Sequence, residues 1–245
     1  MAGVNSARRG YVPDDARNFS AAGIDTMRKA SRHIVFLINE GYDLKQATTF
    51  VGNHFLLSER QRLAVMRSLA TNEQLKNRER KKRTGSELFG ENVWIDGFNT
   101  IITLEVLLSD SILFTCMDGT IRDLAALRGT YRIISETESA VRMLFDVLTE
   151  MKIRSATILL DEPVSNSGRL KTLIADIGED YSFDLDVQIQ KDVDRTLYNK
   201  ENVITSDSII LDHCPSWINL TEKCMERLNR QGLRVWERQE EVSPE

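Results

Sequence analysis

The sequence is poor in the residues that build covalent or soft-metal frameworks, with three cysteines and three histidines among 245 residues. Cys116, Cys214 and Cys224 have no CxxC spacing, and His33, His54 and His213 are scattered, so neither a disulfide framework nor a zinc site is indicated. Long apolar runs are lacking too: all fall short of the roughly 18 to 20 residues that cross a bilayer. The polar N-terminus lacks the apolar core of a signal peptide. These absences lead us to expect a soluble, cytoplasmic protein with no membrane partner. Aromatic side chains make up only 7%, against 41% hydrophobic and 28% charged. That composition excludes full disorder and suits one large domain or two small ones.

The net charge of −5 hides a split at Gly90. Residues 1–90 hold 16 basic and 9 acidic side chains, and residues 91–245 hold 16 and 28. The basic part can meet a polyanion, whereas the acidic part repels one unless divalent cations neutralise its carboxylates. Two differently solvated surfaces would give the same split.

Residues 1–12 lack apolar periodicity and read as a mobile arm. From Ala21 to Glu40, Ile24, Met27, Ile34, Val35, Leu37 and Ile38 recur at helical spacing, and Gly41 supplies a stop. Asp43 with Gln46, and Ser58 with Gln61, match the capping pattern and mark two further helix starts. The second of these helices is expected to run on through KNRERKKR (76–83) into a linker at Thr84, Gly85 and Ser86. With Arg60, Arg62 and Arg67, this run forms either a phosphate-contacting strip or a solvated face.

After Gly90, short apolar runs alternate with helical segments, the sequence form of a parallel α/β sheet flanked by helices. Strands are expected at 93–96, 112–116, 156–161, 185–189 and 203–206, with a weaker one at 217–220. Helices are expected at 100–108, 137–151, 168–177 and 221–230. The chain thus divides into a small all-α region over 1–85 and an α/β domain over 90–245.

Three of these strands end in an aspartate: Asp96 in WIDGFN, Asp161 in ILLDEP and Asp207 in VITSDS. The carboxyl ends of parallel strands share one edge, where ligands bind, so these carboxylates can converge. Converging anions raise one another's pKa unless a divalent cation holds them, and oxygen-only donors suit Mg²⁺ or Mn²⁺. Such an ion supports hydrolysis of a phosphodiester without histidine or cysteine. Against this, Asp96 and Asp207 can simply cap the helices that follow them.

WIDGFNT is similar to the opening strand and turn of the PIN-like nucleases, particularly the NYN branch, where a strand ends in Asp-Gly-x-Asn. ILLDEPVSNSG and VITSDSIILD resemble that branch's middle and late strand ends, so the resemblance spans about residues 90–222. It implies a PIN-like fold, Asp96, Asp161 and Asp207 as catalytic and metal-binding carboxylates, and Asn99 as a group that orients the first of them or the substrate. Asp118, Asp194 and Asp212 are further candidate ligands. PIN-like proteins place another acid on a helix before the late strand, but only twelve residues separate Asp194 from Asp207, which leaves little room for that helix. The segment VGNHFLLSERQRLAVMRS resembles an uncharacterised archaeal domain family and implies no mechanism.

CMDGTIRDLAALRGTYR follows the second expected strand, and from there Asp118, Arg122, Asp123, Arg128 and Arg132 are expected to reach the same crevice. Its MDGT is similar to the haloacid-dehalogenase-like motif, but Cys116 stands where that family has its nucleophilic aspartate. The expected function is a divalent-metal-dependent ribonuclease with RNA as partner and Arg122, Arg60 and Arg62 contacting substrate. The alternatives are an inactive RNA-binding adaptor of the same fold and a metal-dependent phosphatase. The N-terminal helices offer a surface for a second copy or a protein partner.

Overall fold

A computed structural model describes residues 8–125 and 129–237. The N-terminal region is all-helical: α1 (Asp15–Asn18), α2 (Ala21–Asn39), α3 (Leu44–His54), α4 (Glu59–Ser68) and α5 (Asn72–Lys81). Local sequence sets these starts. Asp43 accepts the Gln46 N–H, and Ser58 with Gln61 closes a reciprocal capping box. A second box, Thr71 with Gln74, corrects one expectation. The helix after Ser58 does not run on to Arg83, because Leu69 turns extended and the new cap starts α5.

The α/β region runs β1 (Asn92–Asp96), α6 (Gly97–Leu108), β2 (Phe114–Thr115), β3 (Ile121–Arg122), α7 (Thr137–Glu150), β4 (Ser155–Asp161) and α8 (Ser167–Gly178). It continues through β5 (Asp184–Gln190), α9 (Val193–Leu197), β6 (Val203–Ile204), α10 (Ser208–His213), β7 (Trp217–Ile218) and α11 (Leu220–Arg227). Five strands form one parallel sheet in the order β5-β4-β1-β6-β7, flanked by helices. The chain builds outward from β1 to β4 and β5, then returns to the other side of β1 for β6 and β7. The reversal between β1 and β6 opens a crevice outside their carboxyl ends.

Side chains alternate across the sheet. Ile158 and Leu160 of β4 join Ile101, Leu104, Leu144 and Phe145 on one face, while Leu159 joins Val193, Leu197, Ile210 and Trp217 on the other. Gly97 allows α6 to start against β4, since a Cβ there would meet the Leu159 carbonyl oxygen at 2.7 Å.

Three further expectations change. The run 112–116 does not join the parallel sheet: β2 pairs antiparallel with β3 around the Asp118–Gly119 turn, where Gly119 has φ +79°. The C-terminal segment pairs with this hairpin, the Leu233 N–H donating to the Leu113 carbonyl at 2.8 Å and the Thr115 N–H to Leu233 at 3.0 Å. Phe114, Leu124 and Val235 thereby enter the core of the N-terminal helices.

The described part of the expected mobile arm is docked. Arg9 Nε lies 2.9 Å from Glu105 Oε2, and the Glu105 carboxylate is buried and also accepts from Tyr131 Oη at 2.6 Å. The basic run does not enter a free linker either. The Arg83 N–H donates to the Trp217 carbonyl at 2.8 Å, and Lys81 Nζ donates to the Leu211 and Asp212 carbonyls. No helix among the described residues is long and apolar enough to cross a membrane.

Candidate functional site

Asp96 ends β1 directly beside the reversal point. It is buried, and although it precedes α6 its carboxylate caps no helix N–H. Its Oδ2 accepts the Thr205 hydroxyl at 2.8 Å from the end of β6, as the β1–β6 register dictates. Burial pushes its pKa up from 3.8 to about 8; the Thr205 bond opposes this rise, and Asp207, Asp194 and Asp161 add to it. Four carboxylates from four segments therefore share one field at the carboxyl edge of the sheet.

The other three differ in environment. Asp207 does cap α10, its Oδ1 accepting the Ile209 and Ile210 N–H groups at 2.8 and 3.2 Å, while its own N–H donates to Thr205 Oγ1 at 3.0 Å. Asp161 ends β4, and its pKa is raised chiefly by burial and further by Asp192. Asp194 is raised by burial first, then by Asp207, Asp161 and Asp192. It sits on α9, so the helix for which the sequence leaves little room is present in five residues. The donor set is all oxygen, the kind that Mg²⁺ and Mn²⁺ take. Among the described residues, no three His, Cys, Asp or Glu side chains are gathered tightly enough to form a ready-made metal cage.

Asn99, in the first turn of α6, fixes the β6–α10 turn, its Oδ1 accepting both the N–H and the hydroxyl of Ser206 at 2.9 Å. Arg122 and Asp123 reach the expected crevice, lining it with Asn99, Ser206 and Asp207, whereas the remaining candidates are engaged elsewhere. Arg122 is buried, its guanidinium donating to the Ser206 and Arg67 carbonyls and pairing with Asp118 Oδ2 at 2.7 Å. Asp118 also pairs with Arg78 Nη1 at 2.7 Å, and Asp212 with Arg78 Nε at 2.7 Å. Burial alone would raise Asp118, but Arg122, Thr120 and Arg78 outweigh it and hold it below the ordinary carboxylate range. Asp118 and Asp212 thus belong to a buried ion cluster that supports the Ser206–Ser208 turn from behind.

Arg60 clamps Asp15 at 2.9 Å and donates to the Leu124 and Gly10 carbonyls, and Arg62 donates to the Leu57 and Thr49 carbonyls. Asp123 accepts from the Thr103 hydroxyl and the Ala125 N–H. Arg132 lends its backbone carbonyl to Arg9. Arg128 lies outside the described residues.

One feature of the site escapes sequence reasoning altogether. A cleft of about 260 Å³ separates the helical region from the strand ends, with Met66, Arg67 and Leu69 on one wall and Asn99, Ser206 and Asp207 on the other. Of the three arginines on α4, Arg67 alone lines this cleft. Nothing local distinguishes it from Arg60 and Arg62, since its position follows from how α4 docks against the hairpin. The Thr205 hydroxyl was legible only as part of the Thr-Ser-Asp string. The three thiols are buried, and burial pushes Cys116 and Cys214 up to about 11 and Cys224 to about 12, which makes them inert as ligands or nucleophiles.

Residues 85–223 match a family described as "Domain of unknown function (DUF5616)". The chain belongs to this family. The DUF5616 match spans Asp96, Asp161, Asp194 and Asp207, whereas a separate match to "Protein of unknown function (DUF434)" covers residues 26–81, the helices that roof the cleft. The chain is also similar to a Methanocaldococcus jannaschii protein described as "Uncharacterized protein MJ0935", at 35% identity over 186 residues, 76% of this chain and 89% of that protein. No solved structure matches significantly. In this DUF5616 chain the cleft is therefore built jointly by two sequence families.

Proposed function

We propose that this chain is a divalent-metal-dependent, PIN-like ribonuclease whose strand-end aspartates serve hydrolysis of RNA phosphodiester bonds. The observation that carries the reading is Asp96: a buried carboxylate that caps nothing, accepts one hydroxyl and shares its field with three other aspartates. Buried carboxylates whose pKa is raised by desolvation and by neighbouring acids cluster at functional sites.

The donor set suits Mg²⁺ or Mn²⁺ in kind. Mg²⁺ usually keeps several waters and takes one or two carboxylates, so it does not need a ready-made cage. One or two of Asp96, Asp161, Asp194 and Asp207 would hold the ion directly, and when bound it would acidify a water and stabilise the leaving oxygen. The chain's own groups prepare this edge. Thr205 orients Asp96 and ties it to the Asp207 backbone, and Asn99 locks Ser206. Asp207 fixes one oxygen in a cap, which leaves its second for a ligand. The chain would work in the cytoplasm, where its buried thiols stay reduced.

One observation favours a second reading, an RNA-binding adaptor of the same fold: the carboxylates are not drawn into a cage. Incubating a labelled RNA pool with Mn²⁺, with EDTA and with the Asp96→Asn protein separates the two. Cutting that needs both the ion and Asp96 supports the nuclease. Metal-independent RNA retention without cutting supports the adaptor.

A further inference from the structure

The basic run 76–83 resolves into two populations. Arg78, Lys81, Lys82 and Arg83 face the protein, where each has a carboxylate, a carbonyl or the Trp217 ring as partner. Lys76 and Arg80 do not. They lie four residues apart on α5, both are exposed, and neither makes an ion pair among the described residues; Arg80 donates only to Asn77 Oδ1 at 3.0 Å. Like charges at this spacing disfavour a helix by a few tenths of a kcal/mol unless an anion meets them.

Both line a groove of about 660 Å³ with Glu73, Asn77 and Asp212. Gln74 borders this groove and also the 260 Å³ cleft at Asp207, so the two spaces adjoin along α5. Of the two acids in the groove, Asp212 is neutralised from within, held by Arg78 at 2.7 Å and by Gln74 Nε2 at 2.9 Å, while Glu73 is exposed and makes no ion pair among the described residues. At the cleft, the Arg67 side chain is 39% exposed and has only its Nη1 engaged with Asp123. A line of cations thus runs from Arg80 and Lys76 past Gln74 to Arg67, beside the strand-end aspartates.

We infer that the α5 groove and the cleft together form a track for the sugar–phosphate backbone of single-stranded RNA, with phosphates on Lys76, Arg80 and Arg67. The cleft, at about 260 Å³, is somewhat smaller than the roughly 300–1,000 Å³ of ordinary ligand pockets, a size that suits one unit of a single strand. Met66 and Leu69 supply the apolar wall that an unstacked base would meet. The inference rests on the ribonuclease reading for the identity of the polymer. It goes beyond that reading by assigning a binding role to the helical region.

The test is fluorescence anisotropy of a labelled single-stranded RNA of about ten nucleotides, within the usual site size, on the full chain in EDTA, with Lys76→Glu/Arg80→Glu and Arg67→Gln proteins alongside. The double variant changes only exposed side chains, and unchanged circular dichroism verifies its fold. We expect its affinity to fall at least tenfold and its logarithmic salt slope to drop by about 1.4, two single-strand phosphate contacts. Arg67→Gln should weaken binding as well, and a duplex of the same sequence should bind at least tenfold less well than the single strand. Equal affinity of the folded double variant, or equal binding of duplex, overturns the track. Failure of the nuclease reading looks different: tight, Lys76-dependent RNA binding with no Asp96-dependent cutting.

Discussion

The Thr205 hydroxyl donates to Asp96 Oδ2 at 2.8 Å across the β1–β6 boundary, where the strand order reverses. It is the hydrogen-bond donor that stabilises the ionised form of a carboxylate otherwise pushed up to about 8 by burial and by its acidic neighbours. In the unfolded chain the same group titrates near 3.8. A carboxyl whose folded pKa is raised does not penalise folding below the unfolded pKa, where both states hold the proton. As pH rises towards 8 the unfolded chain releases its proton first, so stability is lost.

Metal-free protein should therefore lose stability between about pH 4 and pH 8, by on the order of several kcal/mol at roughly 1.4 kcal/mol per pKa unit. Asp96→Asn keeps an acceptor for Thr205 but cannot ionise, so its urea midpoint in EDTA should fall less steeply than that of wild type over that range and be higher at the alkaline end. Parallel pH curves for the two proteins would exclude the shift.

Asp207 performs two separable tasks. Its Oδ1 caps α10 through Ile209 and Ile210, and its charge contributes to the raised pKa of Asp96. Asn is as good a cap as Asp, whereas Ala removes the cap at a cost of about 1 kcal/mol. Asp207→Asn should keep the wild-type melting temperature and lose Mn²⁺-dependent cutting, while Asp207→Ala should lose both. A cleaving Asn variant would reduce Asp207 to a cap.

The strand ends were legible because an apolar run that stops at a charge marks both a strand and its edge, as Ile95–Asp96 and Leu160–Asp161 do. The caps at Asp43 and Ser58 were legible because their partners lie three residues away. What stayed hidden depends on distant partners. Phe114 leaves the parallel sheet because Ile121 and Leu233 pair with its neighbourhood from both sides. Arg78, in the middle of an apparently solvated basic run, is buried because Asp118 and Asp212 converge on it from 40 and 134 residues away. Asp194 was masked by a length expectation that a five-residue helix satisfies.

The Arg78–Asp118–Arg122 cluster gives a stability prediction. Asp118 holds Arg78 and Arg122, both at 2.7 Å, with all three side chains buried. Neutralising it leaves an excess of buried positive charge, which costs about 3–5 kcal/mol. Asp118→Asn should lower the urea midpoint accordingly. Glu138→Gln, which breaks an exposed i,i+4 pair with Arg142 of similar 3.0 Å length, should leave the midpoint unchanged. Equal effects of the two substitutions would show that burial does not set the cost.

Gly97 links the stability of the sheet to the geometry of the site. An added Cβ would sit 2.7 Å from the Leu159 carbonyl oxygen and 2.7 Å from Leu160 Cδ2. The oxygen belongs to β4, which pairs with β1, so it cannot yield without disturbing that register. The helix must yield, and its first turn carries Asn99, whose Oδ1 holds Ser206 beside Asp207. Gly97→Ala should therefore cost about 1–3 kcal/mol in thermal or urea unfolding, the usual penalty of overpacking. It should also weaken Mn²⁺ binding by isothermal titration at a temperature where the variant is fully folded. Asn99→Ala leaves the packing alone and frees the same turn. If its Mn²⁺ affinity stays at the wild-type level while that of Gly97→Ala falls, the glycine acts through β4 and not through the Asn99–Ser206 tie.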